Sequence, residues 1–255
     1  MQESRQYGEI IADLGSASGG ASKAQRVRVR DSEGTEWEAF AKFAQDTNGQ
    51  PLAENGAHGL AAEFLAGQLA TALAANVPMT EPVVLRSDMP MRASNGATIA
   101  PGLAVASKAL RASVDVNGPA TMPTDTLPGD VASLVALHSW IEAQDRGHNL
   151  ILSDNRVYSI DHATGFRSAW NLTDPTGDLV VDPLLQPIFS AHPETVGPIA
   201  DRLQRVLDAT INRAVQAAPR EWVPSDALRT RLVDNIKRQR DLVARSLVAR
   251  GAGTA

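Results

Sequence analysis

The stretch 140–166 constrains this chain more than any other. An apolar, helix-like run ends near Trp140. Beyond it come an acid at Asp145, an amide at Asn149, two short β-prone runs (Leu150-Ile151-Leu152 and Val157-Tyr158-Ser159-Ile160) and a second acid at Asp161. Asp154-Asn155 between the runs suits a two-residue turn with positive φ at both positions, which fixes the register of the hairpin around it. Pairing about that turn sets Leu152 against Val157 and Asn149 against Ile160, so Asp161 falls diagonally beside Asn149. Two hard oxygen donors from separate strands become neighbours. Magnesium takes such a setting, with one or two protein oxygens and with water and substrate phosphates completing its octahedron.

A chain of 255 residues can bury a full core, and its length allows one large domain or two lobes. Aromatics are only 4% of the residues, so Ala, Leu and Val must build that core. A net charge of −5 argues against bulk attraction to nucleic acid or to an anionic membrane. The absence of cysteine excludes disulfides, thiolate metal sites and a thiol nucleophile. The polar N-terminus lacks the apolar centre of a signal peptide, and no apolar run approaches the roughly 18 residues a membrane helix needs. The expectation is a cytoplasmic protein without membrane or nucleic-acid partners.

Residues 9–14 read as a strand, and 15–20 as a turn of small residues. Two readings of that turn stand side by side: the backbone at Gly19 and Gly20 approaches phosphates, or the segment is a linker. Residues 25–31 alternate Val27 and Val29 with Arg26, Arg28 and Arg30, and 36–44 place Trp37, Ala39, Ala41 and Phe43 opposite Glu38, Phe40 and Lys42. A small antiparallel sheet is expected. A helix follows over 59–76, with Leu65, Leu69, Ala72 and Leu73 on one stripe and Glu63, Gly67, Ala70 and Ala74 on another. A carboxylate among small residues implies close packing and a cationic partner, for which Lys42 is the candidate; the alternative is that Glu63 faces water. Further extended stretches are expected at 82–86 and 99–110. A lobe boundary near Leu110 divides 1–110 from 111–255. Residues 111–127 read as an irregular connection. Asp130 then caps a helix whose buried stripe includes His138, read as a core histidine with a satisfied nitrogen. One helix is expected over 198–216, with Ile199, Leu203, Val206, Leu207 and Ile211 inward. Ser225 caps a last helix whose arginines and lysines form a solvated face.

A strand lysine, a helical glutamate, Asp145, Asn149 and Asp161, in that order, supply the parts that phosphoryl transfer needs, since that chemistry rests on positioning and charge neutralisation. The run 143–152, followed by Tyr158-Ser159-Ile160-Asp161-His162 and Gly165-Phe166, resembles the catalytic segment of HipA-like kinases. Its Asp-Arg-Gly-His-Asn order is also similar to that of phosphatidylinositol kinases. Ala41-Lys42-Phe43, the helix through 61–66 and Val77-Pro78 are similar to the small lobe of the HipA-like group.

The resemblance implies an α+β, protein-kinase-like two-lobed fold, with a small antiparallel-sheet N-lobe and a mostly helical C-lobe. It implies ATP and Mg2+ as cofactors and transfer of the γ-phosphate to a hydroxyl-bearing acceptor, expected to be a protein. Lys42 would contact phosphates and Glu63 would pair with it. Asp145 would be catalytic, Asn149 and Asp161 would hold the metal, and Ser107 and Lys108 would lie near the adenine. Asn149 follows Asp145 by four positions where the kinase pattern has five, and His162 stands where many kinases have Phe. A nucleotide-binding pseudokinase or interaction domain is the alternative. A metal-dependent hydrolase drawing on His138, Asp145, His148, Asp161 and His162 is the other.

Overall fold

Strand β2 (Gln25–Arg30) shows how the small lobe forms: its valines are fully buried while its arginines point outward, the period-two alternation of a strand with one wet face. The computed structural model describes residues 7–17, 24–111, 113–116, 122, 126–143 and 149–252. Strands β1 (Gly8–Ser16), β2, β3 (Glu36–Phe43), β4 (Thr80–Leu85) and β5 (Gly102–Lys108) form a closed barrel in the order β1-β2-β3-β5-β4. Four of its pairings are antiparallel. The closing pair, β1 with β4, is parallel through Gly8–Val83 and Glu9–Val84. Ile10, Val27, Val29, Ala39, Ala41, Phe43, Val83 and Leu85 fill its interior. On β3 this leaves Phe40 and Lys42 on the opposite, outward side, as the alternation requires.

Helix α1 (Gly56–Leu73) is buried around most of its circumference, because the barrel covers one side and the helical lobe the other. Its small-residue stripe has a direct cause. A Cβ placed on Gly67 would come within 2.0 Å of Thr80 Oγ1 on β4, so only glycine lets the helix sit so close to the sheet.

The second lobe is built on α2 (Pro128–Trp140), whose residues from Val131 onward are all buried. A three-stranded sheet of β6 (Val114–Asp115), β7 (Leu150–Ser153) and β8 (Arg156–Ser159) flanks it. Short helices α3 (Arg167–Asn171) and α4 (Gln186–Ala191), then α5 (Val196–Gln204), α6 (Asp208–Ala217) and the long α7 (Asp226–Ala252), complete the lobe. Helix α7 is fastened to α2 by Trp140 Nε1 donating to Ile236 O and Gln239 Nε2 donating to Ser139 O, both 2.8 Å. No helix among the described residues is long and apolar enough to cross a membrane.

The hairpin register is the expected one: Leu152 pairs with Val157, the Ile160 amide donates to Asn149 O, and Asp154 and Asn155 both have positive φ. Ser225 caps α7 by accepting from the Leu228 amide at 3.1 Å. Four expectations are corrected. Asp130 lies inside the first turn of α2 and spends its carboxylate on Asn76 and Arg156, while Leu127 stands at the cap. The connection after Leu110 contains β6, which pairs with β7. The helix expected over 198–216 breaks into α5 and α6, and Leu207 at the break is exposed. The cations of α7 form a solvated face only in part: Arg231, Arg238 and Arg245 are exposed, but Arg229 is buried, donating to Val215 O and Ala218 O, and Arg240 bonds Val206 O and Asp208.

Candidate active site

Lys42, Glu63 and Asp161 come from three distant parts of the chain and meet at one point. Lys42 points off β3 away from the barrel interior, and Glu63 faces it from α1. Lys42 Nζ donates to Glu63 Oε1 and also to Asp161 Oδ1 at 2.9 Å. The Lys42 side chain is 16% exposed, that of Glu63 4% and that of Asp161 30%. The alternative of a solvated Glu63 is thereby corrected: a carboxylate buried this deeply requires its cation.

Asp161 stands two residues beyond the end of β8 and takes φ 57°, a left-handed conformation that Asp adopts more readily than most residues. The backbone therefore turns sharply where the hairpin ends, and the carboxylate meets Lys42 rather than continuing the strand's alternation. Asn149 sits at the start of the same hairpin, opposite Ile160 and diagonal to Asp161.

The electrostatics follow from burial and partners. Burial works against the Lys42 charge, but Glu63 and Asp161 outweigh it and hold its pKa above the usual lysine range. Burial likewise opposes the Glu63 charge. The Lys42 ammonium, with His162 beside it, overrides that and holds the carboxyl well below the ordinary range. Lys42 and Glu63 are thus both ionised at neutral pH, and the Lys42 ammonium donates to a carboxylate oxygen on either side.

These residues line a cavity of about 480 Å3 between the lobes. Ser107 and Lys108 of β5 line it too, with Phe40 and Thr80 on the barrel side and Asp115 and Ile151 on the other. Ala17 and Ala24, at the neck of the β1–β2 turn, border it and are joined by a hydrogen bond from the Ala17 amide to Ala24 O at 3.1 Å. The expected phosphate-contacting Gly19 and Gly20 and the expected catalytic Asp145 lie outside the described residues. Of the other candidates, Lys42, Glu63, Asp161, Ser107 and Lys108 share this cavity, and Asn149 stands at its hairpin.

Sequence reasoning missed Asp115, because a two-residue strand leaves no periodic signal. It also missed the connection from Glu63 inward. His162, 1% exposed, puts Nδ1 3.6 Å from Glu63 Oε2, and its Nε2 lies 3.0 Å from Ser159 Oγ, itself 2.8 Å from His138 Nε2. His138 is the core histidine with a satisfied nitrogen that was expected, its Nε2 lying beside Ser159 Oγ. The available signal was the spacing of Ser159 and His162 around Asp161.

A family model described as HipA-like kinase matches residues 52–248. The chain belongs to the HipA-like kinase family. Its fold agrees with solved kinase structures. CtkA, a proinflammatory kinase of Helicobacter pylori, superposes with a TM-score of 0.60 at 11% identity, covering 97% of each chain. Hydra Fam20, solved with sugar, gives a TM-score of 0.50 at 10% identity, covering 98% of this chain and 87% of that one. At such identities the likeness is one of fold, and it is protein-kinase-like. A search of curated proteins finds no significant match.

Proposed function

We propose that this HipA-like kinase is an ATP- and Mg2+-dependent phosphotransferase that passes the γ-phosphate of ATP to a hydroxyl on a protein. The observation that carries the reading is Lys42, held between Glu63 and Asp161 at the wall of the interlobe cavity. An ammonium fixed in this way offers its remaining charge to phosphate oxygens without first having to be ordered, which is how a positioning site accelerates transfer. Glu63 keeps Lys42 in place. Ser107 and Lys108 border the adenine, with the hinge between lobes 1–110 and 111–255 just beyond them, and Gly19 and Gly20 are the phosphate-contacting glycines of this reading.

Asp161 and Asn149 fit magnesium: each brings a hard oxygen, they are diagonal neighbours on one hairpin, and the Asp161 carboxylate is partly open to the cavity. The cation, when bound, neutralises charge on the phosphates. Asp161 would hold that cation, while its Oδ1 accepts from Lys42. Asp145 orients the acceptor hydroxyl and takes its proton as the new ester bond forms.

The test is melting with and without ATP and magnesium, followed by incubation with labelled ATP. The reading expects a raised melting temperature only when both ligands are present, and label transfer that Asp145→Ala abolishes while nucleotide binding survives. Unchanged melting at millimolar ligand, or transfer that persists in D145A, would sink it.

A further inference from the structure

The site so far has used one face of Glu63. The other leads into the core. Glu63 Oε2 stands 3.6 Å from His162 Nδ1, His162 Nε2 is 3.0 Å from Ser159 Oγ, and Ser159 Oγ is 2.8 Å from His138 Nε2. His138 and Ser159 are fully buried and His162 is 1% exposed. The chain starts at the lysine of the small lobe and ends on α2, at the centre of the large one.

The chemistry of Glu63 fixes one end of the chain. An ionised Glu63 only accepts, so His162 presents Nδ1–H to it. Ser159 Oγ, a hydroxyl that can donate one hydrogen bond and accept another, stands between His162 Nε2 and His138 Nε2. The three groups thus link α2 to Glu63, each orienting the next through the one contact they share.

We propose that His162 is a positioning residue for the Lys42–Glu63–Asp161 contact, oriented through Ser159 by His138, so that the large lobe sets the geometry of a small-lobe ion pair. Its consequence for turnover rests on the phosphotransferase reading; the coupling itself does not. His162 supports Glu63 from behind while Asp161, its chain neighbour, holds Lys42 in front. The two lobes therefore register on each other through adjacent residues of one turn.

The experiment uses the full chain and the variants Ser159→Ala, Ser159→Thr and Glu63→Gln. Ser159 and Glu63 are bridged by His162, so a merely local role for each predicts that their effects on the unfolding equilibrium multiply independently. The proposal expects the double variant S159A/E63Q to depart from that product by at least about threefold. A control cycle of S159A with Ser225→Ala, at the α7 cap, should multiply cleanly. Lys42 acylation by an amine-reactive reagent, followed by mass spectrometry, reads the position of the lysine without nucleotide. It should be several-fold faster in S159A and at the wild-type rate in S159T, which keeps the hydroxyl. Clean multiplication in the S159A/E63Q cycle, or labelling unchanged in S159A, overturns the proposal whether or not the protein transfers phosphate. A coupled cycle and faster labelling of S159A, found together with a wild type that transfers no phosphate, uphold the coupling and remove the phosphotransferase reading alone.

Discussion

Replacing Lys42 by methionine keeps most of the volume and removes the charge that Glu63 needs. Glu63 is 3% exposed, and its other neighbour is His162, whose Nδ1 lies 3.6 Å away. Removing one partner of a buried ion pair costs about 3–5 kcal/mol, because the remaining charge is stranded. With His162 still beside the carboxylate the lower figure applies, and for a chain of this length about 3 kcal/mol lowers Tm by roughly 6–12 °C. The pH dependence carries the sharper signature. In the native protein Glu63 titrates below its ordinary value of 4.5, so its contribution is in place above that pH and is lost as pH falls below it. In K42M burial acts unopposed by the lysine and raises the carboxyl's folded-state pKa. The folded state then binds more protons than the unfolded one, and stability grows as pH falls from 7 toward 4.5. The gap between K42M and wild type, read by thermal melting, should therefore narrow across that interval, and the double variant K42M/E63Q should recover part of the loss at neutral pH. A K42M protein melting within about 2 °C of wild type, or a gap constant with pH, would refute the reasoning.

The packing and the turn give two further tests. Gly67→Ala drives a methyl into Thr80 and should destabilise by about 1–3 kcal/mol despite alanine's better helix propensity; calorimetry should show Thr80→Ala relieving part of it. Asn155→Gly, at φ 58°, should raise Tm by a degree or more, because glycine meets no steric penalty there, whereas Asn155→Val should lower it.

Much of the site was legible because two local rules leave little freedom. A two-residue turn with positive φ at both positions admits one hairpin register, so the placement of Asn149 diagonal to Asp161 followed from Asp154 and Asn155 alone. A carboxylate on a helix stripe otherwise made of Gly and Ala cannot be buried without a cation, which singled out Lys42. What stayed hidden depends on distant partners. Nothing in the sequence near Leu207 stops the apolar periodicity; the helix breaks where Arg240, from α7, takes the Val206 carbonyl and the Asp208 carboxylate that begins α6. Strand β6 exists only because Val114 and Asp115 find Leu152 and Ile151. Arg229 looked like part of a basic face, but the carbonyls at the end of α6 draw it inward. In the buried chain, Ser159 and His162 announced nothing singly, since it takes the fold to bring His138 to one end and Glu63 to the other.

The central claim is that Lys42, Glu63 and Asp161 form the phosphate and metal end of a nucleotide site. Calorimetric titration of a non-hydrolysable ATP analogue, with and without magnesium, into the wild type and Asp161→Ala tests it most directly. Magnesium-dependent binding in the wild type, with the dependence lost in D161A, is the predicted result. Binding of equal strength with and without magnesium, or identical behaviour of the two proteins, would contradict it.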